Sequence, residues 1–301
     1  MPQAAPQPTS RTINISGLNF HYVNWGGVGT PIILIHGLAS TVHIWDLVAP
    51  RLTAYGHVIA LDQRGHGLTD QPATGYDFAT ITADLANFVH ALGIQEKFFL
   101  VGHSWGAHVA LCFAQRYGEM LRGAVLVDGG IMDFKTQWPT WAGAEKHMTP
   151  PALTAVTLPE IRHRIKEQWL GNAWTPETGE LALSVYKVDE QGFVHRRLDT
   201  ANHLQIAHAI WALTPAELFP QIKCPVLLAA PIPPGMAQQP DAWQVEKQKQ
   251  VQQAEQLLNQ GQVVWFPETI HDVPWQRPEQ LANTINEFIT KHLAAKVMGR
   301  W

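Results

Sequence analysis

The sequence predicts an α/β fold: a mostly parallel sheet with helices on both faces and a helical cap inserted after the sixth strand. Three observations carry this. Short apolar runs alternate with segments whose apolar residues recur at helical spacing. Residues 98–106, Phe-Phe-Leu-Val-Gly-His-Ser-Trp-Gly, lead an apolar run into a Gly-x-Ser-x-Gly turn, and a helical segment follows at 107–114. The alternation breaks after residue 130 and resumes at Cys224. A chain of 301 residues with 46% hydrophobic content suits one large domain with an inserted subdomain.

In chain order, residues 12–25 alternate as a hairpin turning at Gly17-Leu18-Asn19. Residues 31–36 form an uninterrupted apolar run, as expected of a central parallel strand covered on both faces. A helical pattern fills about 42–54, and 57–61 is the next strand. In 78–92, Phe78, Ile81, Leu85, Phe88, Val89 and Leu92 fall at helical spacing before Gly93 as a stop. The strand of the serine turn follows, then a strand at 123–127 closed by Asp128-Gly129-Gly130. The block 131–218 holds helical stretches near 158–170 and 202–213 and no convincing parallel strand. A strand from Cys224, a polar helix at about 242–259, a strand at 263–266 and a helix at about 278–293 complete the chain. The expected core is therefore 12–130 plus 219–295, the cap 131–218, and the flexible termini 1–11 and 296–301.

A net charge of −4 without a Lys/Arg block argues against nucleic acid or an anionic membrane as partner. The first eight residues are polar and proline-rich, unlike a signal peptide, and no apolar run is long enough to span a bilayer. A cytoplasmic protein acting on a small molecule is expected. Cys112 and Cys224 both read as small buried residues rather than a disulfide. No Gly-x-Gly-x-x-Gly opens a helix, no Walker pattern occurs, and the 15 histidines include no His-Glu-x-x-His. Neither a cofactor nor a metal is expected.

The Gly102-His103-Ser104-Trp105-Gly106 turn makes Ser104 a candidate nucleophile, with glycines where strand and helix fold tightly together. A serine hydroxyl needs a base, and the base needs an orienting acid. His271 follows the last strand and is the candidate base. Asp128 stands directly at a strand end and is the leading acid, with Asp241 and Asp133 as the other candidates. Asp272 reads as a loop or cap residue, because a sequence neighbour rarely points at its own imidazole. The backbone N–H groups of Trp105 and Leu38 are the expected donors to an oxyanion, Leu38 from the loop His36-Gly37-Leu38-Ala39. His36 reads as a packing and hydrogen-bonding residue behind that loop. The segment Asp62-Gln63-Arg64-Gly65-His66-Gly67 reads as a scaffold loop with an internal salt bridge.

Taken together, His36-Gly37, the Asp62–Gly67 segment, the Ser104 turn, Asp128 and His271 resemble the α/β-hydrolase superfamily over about 12–295. The resemblance implies a serine hydrolase acting on a small ester, lactone or thioester through Ser104, His271 and Asp128. Many members carry Gly-x-Asp after the strand that here ends in Pro231-Ile232-Pro233-Pro234, so this chain departs from the usual acid position. Asp128 is the position used by a minority. Epoxide hydrolase and haloalkane dehalogenase chemistry is disfavoured, because those relatives have an aspartate in place of Ser104. Carbon–carbon bond hydrolases, hydroxynitrile lyases, cofactor-free dioxygenases and non-catalytic ligand receptors are the alternatives within the superfamily. The cap is rich in aromatics, among them Phe134, Tyr186 and Trp211. With His36, Trp138, Trp141, Trp169 and Trp174 are the candidate pocket residues, for a mostly apolar substrate.

Overall fold

The uninterrupted apolar runs form the centre of an eight-stranded sheet in a computed structural model that describes residues 7–294. The chain opens with β1 (Thr9–Ile15), β2 (Leu18–Gly26) and β3 (Pro31–Ile35). It continues through α1 (Ala49–Leu52), β4 (His57–Leu61), α2 (Phe78–Ala91), β5 (Phe98–His103), α3 (Trp105–Arg116) and β6 (Leu121–Val127). An inserted segment then carries α4 (Trp141–Met148), α5 (Leu158–Arg164), α6 (Pro176–Leu183), β7 (Tyr186–Val188), β8 (Val194–Arg196) and α7 (Thr200–Ala212). The sheet resumes with β9 (Val226–Pro231), α8 (Ala242–Leu257) and β10 (Gly261–Phe266), followed by α9 (Val273–Gln276) and α10 (Pro278–Ala294).

The strand order is β1-β2-β4-β3-β5-β6-β9-β10. The β1–β2 and β2–β4 pairs are antiparallel and all others parallel. Ile32, Ile33, Leu34 and Ile35 are all fully buried, which is why their run shows no polar alternation. Successive residues of these strands face opposite layers. Ile33, Leu100 and Leu126 pack with Leu85 and Phe88 of α2, Phe113 of α3 and Val251 of α8. Ile32, Val101 and Val125 pack with Leu52 of α1 and Ile285 and Phe288 of α10. Three helices thus cover one face and two the other, leaving the carboxyl ends of the parallel strands for the connecting loops.

The structure differs from the sequence expectation in three places. The hairpin starts earlier: Thr9–Arg11, placed in a flexible terminus, pair with Tyr22–Asn24. Residues 1–6 and 295–301 lie outside the described residues. The 42–54 pattern is a short 3-10 turn (Val42–Trp45) and one turn of α1, because Pro50 lacks the N–H that a longer helix through it would use. The inserted segment includes an antiparallel strand pair, β7–β8, whose three-residue strands are too short to show periodicity. Both cysteines are free and buried. Among the described residues no helix is long and apolar enough to cross a membrane.

Candidate active site

Ser104 sits between β5 and α3 with φ +56 and ψ −118, a conformation that L residues avoid and that this turn imposes. Two close approaches fix it. A Cβ on Gly102 would lie 2.2 Å from the Gly106 carbonyl oxygen, and one on Gly106 would lie 2.6 Å from the His36 and Ile35 carbonyl oxygens. The Ser104 N–H donates to the Val127 carbonyl at 2.8 Å, which ties the turn to the end of β6.

Asp128 is the next residue after Val127. It adopts φ +46, which aspartate tolerates better than most residues, and its N–H donates to Ala229 of β9. His271 lies between β10 and α9, and its Nδ1 is 2.6 Å from Asp128 Oδ2. An imidazole that donates from Nδ1 carries its lone pair on Nε2. Asp133 and Asp241 are occupied elsewhere: Asp133 accepts from Lys135 N at the start of a 3-10 turn, and Asp241 caps α8. Asp272 accepts the indole N–H of Trp169 at 2.7 Å.

The second oxygen of Asp128 meets a residue that the sequence reading did not single out. Lys247 Nζ of α8 lies 2.6 Å from Asp128 Oδ1 and donates to the Pro231 carbonyl at 2.9 Å. The lysine is buried, although it belongs to a helix that reads as polar throughout. Burial alone pushes the Asp128 carboxyl up, but the charges of Lys247 and His271 hold it far below the usual carboxylate range. For His271, desolvation opposes the cation, and the Asp128 charge and hydrogen bond outweigh it, so its pKa is raised.

Ser104, Asp128, His271, Leu38 and Trp105 all line one cavity of about 390 Å³. Met132, Phe134, Met148 and Ile210 of the inserted segment and Trp243 of α8 close it with apolar surface. Trp105 N–H opens α3, where helix geometry leaves the first donors free and the helix dipole is positive. Among the described residues neither it nor Leu38 N–H donates to a backbone carbonyl. The Leu38 loop is held from behind. His36 Nδ1 donates to the Gly37 carbonyl and its Nε2 accepts from Gln63 N, while His66 Nε2 accepts from Ala39 N. Both rings are buried and neutral, with His66 depressed by burial to about 3. His103 Nε2 donates to the His271 carbonyl at 2.9 Å, and burial brings its pKa to about 4.

The candidate pocket residues lie elsewhere. His36 is fully buried behind the loop. Trp138 stacks on Phe134 and leans on Trp243, one layer behind the cavity. Trp141 borders a separate cleft of about 690 Å³ with His208. Trp169 packs on Trp275, and Trp174 lies under the Lys166 ammonium. These tryptophans fill seams of the inserted segment, and Trp105, Phe134 and Trp243 supply the cavity's aromatic surface. The Asp62–Gly67 loop also differs from expectation. Arg64 pairs with Asp84 of α2 rather than within its loop, and Asp62 pairs with His21 at 2.7 Å. Among the described residues no group of three His, Cys, Asp or Glu side chains could hold a metal.

The chain is similar to several known proteins. The chain is 36% identical over 114 residues to a soluble epoxide hydrolase of Corynebacterium sp., covering 38% of this chain and 39% of that protein. It is 37% identical over 117 residues to an N-formylmaleamate deformylase of Pseudomonas putida, covering 38% of this chain and 43% of that one. The matches thus span about two fifths of the length of these curated relatives. In fold it is similar to the crystal structure of E-2-(acetamidomethylene)succinate hydrolase, with a TM-score of 0.76 at 23% identity over 94% of this chain and all of that one. The family model described as alpha/beta hydrolase family matches residues 32–284, and the chain belongs to that family.

Proposed function

We propose that this protein is a cofactor-independent serine hydrolase that cleaves a small, mostly apolar ester, lactone or thioester. The observation that carries the reading is the Asp128 Oδ2–His271 Nδ1 contact of 2.6 Å at the wall of the cavity that Ser104 also lines. In this reading His271 Nε2 takes the Ser104 proton as Oγ bonds to the substrate carbonyl carbon. Asp128 holds the imidazole in the productive tautomer and stabilises its cation. The Leu38 and Trp105 N–H groups receive the oxyanion, each donor lowering the barrier by roughly 3 kcal/mol. The imidazolium then protonates the leaving group. Water, deprotonated by His271, releases the acid and restores Ser104.

The cavity wall supports an uncharged substrate. Asp128 and Lys247 are a mutually neutralising pair, so the lysine offers no unpaired charge to recruit a carboxylate. The inserted segment is read as a cap that supplies the apolar wall and excludes water. The cytoplasm suits its two free, buried thiols.

Labelling with a fluorophosphonate probe tests this reading, beside turnover of a panel of aryl and alkyl esters. Wild type is expected to label and Ser104→Ala to lose both labelling and turnover. Full ester turnover by Ser104→Ala, or a panel preference for highly charged esters, overturns it.

A further inference from the structure

Lys247 is out of place for a residue of a polar helix. Its side chain is about nine-tenths buried, and its ammonium reaches two groups at the carboxyl ends of neighbouring strands. One is Asp128 Oδ1 after β6, at 2.6 Å, and the other is the Pro231 carbonyl at the end of β9, at 2.9 Å. A carboxylate offers about four acceptor sites. Among the described residues, His271 and Lys247 are the side chains that fill those of Asp128. Among the described residues no backbone N–H donates to this carboxylate, so its orientation depends on these two partners.

We propose that Lys247 is a positioning residue for the reaction, clamping Asp128 between β6 and β9 so that one carboxylate oxygen is held for His271. This rests on the serine-hydrolase reading. The lysine's charge has a second effect. With Asp128 neutralised, the Asp–His pair carries one positive charge more than an acid–histidine pair alone. That additional charge disfavours the imidazolium, so His271 is neutral and able to accept a proton at lower pH than it would otherwise be.

The groups facing His271 are Asp128 from β6, His103 from β5, His108 from α3, Lys247 from α8 and its own neighbour Asp272. His103 and His108 are buried and brought to about 4, so they stay neutral across the working range. Asp272 favours the imidazolium, as Asp128 does, and Lys247 opposes it.

Two variants separate position from charge. Lys247→Met removes both the clamp and the charge, and Lys247→Gln keeps a hydrogen-bond donor without the charge. Each is read by kcat and KM on the best ester, by the pH profile of kcat/KM, and by an NMR titration of His271, with circular dichroism confirming the fold. For Lys247→Met, kcat is expected to fall about 10- to 100-fold, as small misplacements of a catalytic group do, with KM within about twofold. The acid limb of the profile and the His271 pKa are expected to move up together. Lys247→Gln is expected to recover part of kcat while both pKa values stay raised. A folded Lys247→Met enzyme with unchanged kcat and an unmoved His271 titration overturns the proposal. If wild-type protein fails to react with the fluorophosphonate, the serine-hydrolase reading falls instead. The titration still reports in that case whether Lys247 acts on His271.

Discussion

The indole N–H of Trp169 donates to Asp272 Oδ2 at 2.7 Å, joining the inserted segment to the residue after His271. Trp169 belongs to a π-helical turn, Ile165–Leu170, that continues α5. Its ring also packs on Trp275 of α9, with centroids 5.7 Å apart. Trp169→Phe keeps the ring and removes the hydrogen bond. Because Trp169 is 37% exposed, the expected stability cost is modest, about 1 kcal/mol. The histidine loop loses a tether, so kcat is expected to fall several-fold with little change in KM. Steady-state kinetics and a thermal melt check this.

Asp128→Asn separates charge from shape at the acid. The asparagine carbonyl can still accept from Lys247, which turns its amide donor toward His271 Nδ1. That contact favours the tautomer with the proton on Nε2, the wrong one for a base. A fall in kcat of roughly 10³- to 10⁴-fold is expected. The Asp128 charge also raises the His271 pKa, so its removal moves the acid limb of any residual activity to lower pH. The stability sign follows. A raised folded pKa adds stability below the unfolded value of 6.5, and that contribution is lost as pH rises through the folded pKa. In Asp128→Asn the contribution disappears. Rate profiles and urea midpoints across pH read both effects.

The sheet was legible because its central strands are buried on both faces and therefore carry uninterrupted apolar runs, as at Ile32–Ile35. That Ser104, Asp128 and His271 meet at one cavity was legible because each lies at or in the loop after a strand's carboxyl end, which sequence marks well. Lys247 was not, since one lysine in a polar helix looks the same whether it faces water or a carboxylate. The place of each tryptophan was less legible for a related reason. Composition shows that a segment is aromatic, but not which seam each ring fills. Trp141 and Trp174 pack within the inserted segment, while the cavity takes Trp243 from α8, outside it. The Asp62–Arg64 pairing failed because neighbouring opposite charges invite a local bridge, whereas strand β2 and helix α2 bring His21 and Asp84 closer.

Acid is expected to unfold this protein through its buried histidines. Burial holds His66 at about 3 and His103 and His108 at about 4, and it also lowers His36. The unfolded chain binds protons at these sites from pH 6.5 downward, while the folded chain does not. Stability is therefore fully present above about 6.5 and is lost as pH falls toward the folded values. Each such histidine contributes at most about 1.4 kcal/mol per pH unit in that window. His271 and His43, whose pKa values are raised by Asp128 and Asp46, act in the opposite direction, but they are two groups against these four. Urea midpoints are expected to drop steeply between pH 6.5 and 4. A flat profile there means that these rings are protonated in the folded state.

Asp62→Ala is expected to be the most damaging single change away from the cavity. The carboxylate is buried and accepts from His21 Nδ1, Val42 N and Leu68 N at 2.7, 2.8 and 3.0 Å. His36, which backs the Leu38 loop, lies 3.9 Å away. Alanine leaves two backbone donors and a histidine without an acceptor in the interior, at a cost of roughly 3–5 kcal/mol. Asp62→Asn retains one acceptor oxygen and is expected to cost about half as much. The damage should reach function as well, because Val42 follows directly on the loop that presents Leu38 N–H. At temperatures where Asp62→Asn is still folded, a fall in kcat with KM held marks a displaced oxyanion donor. An unchanged kcat limits the role of Asp62 to stability.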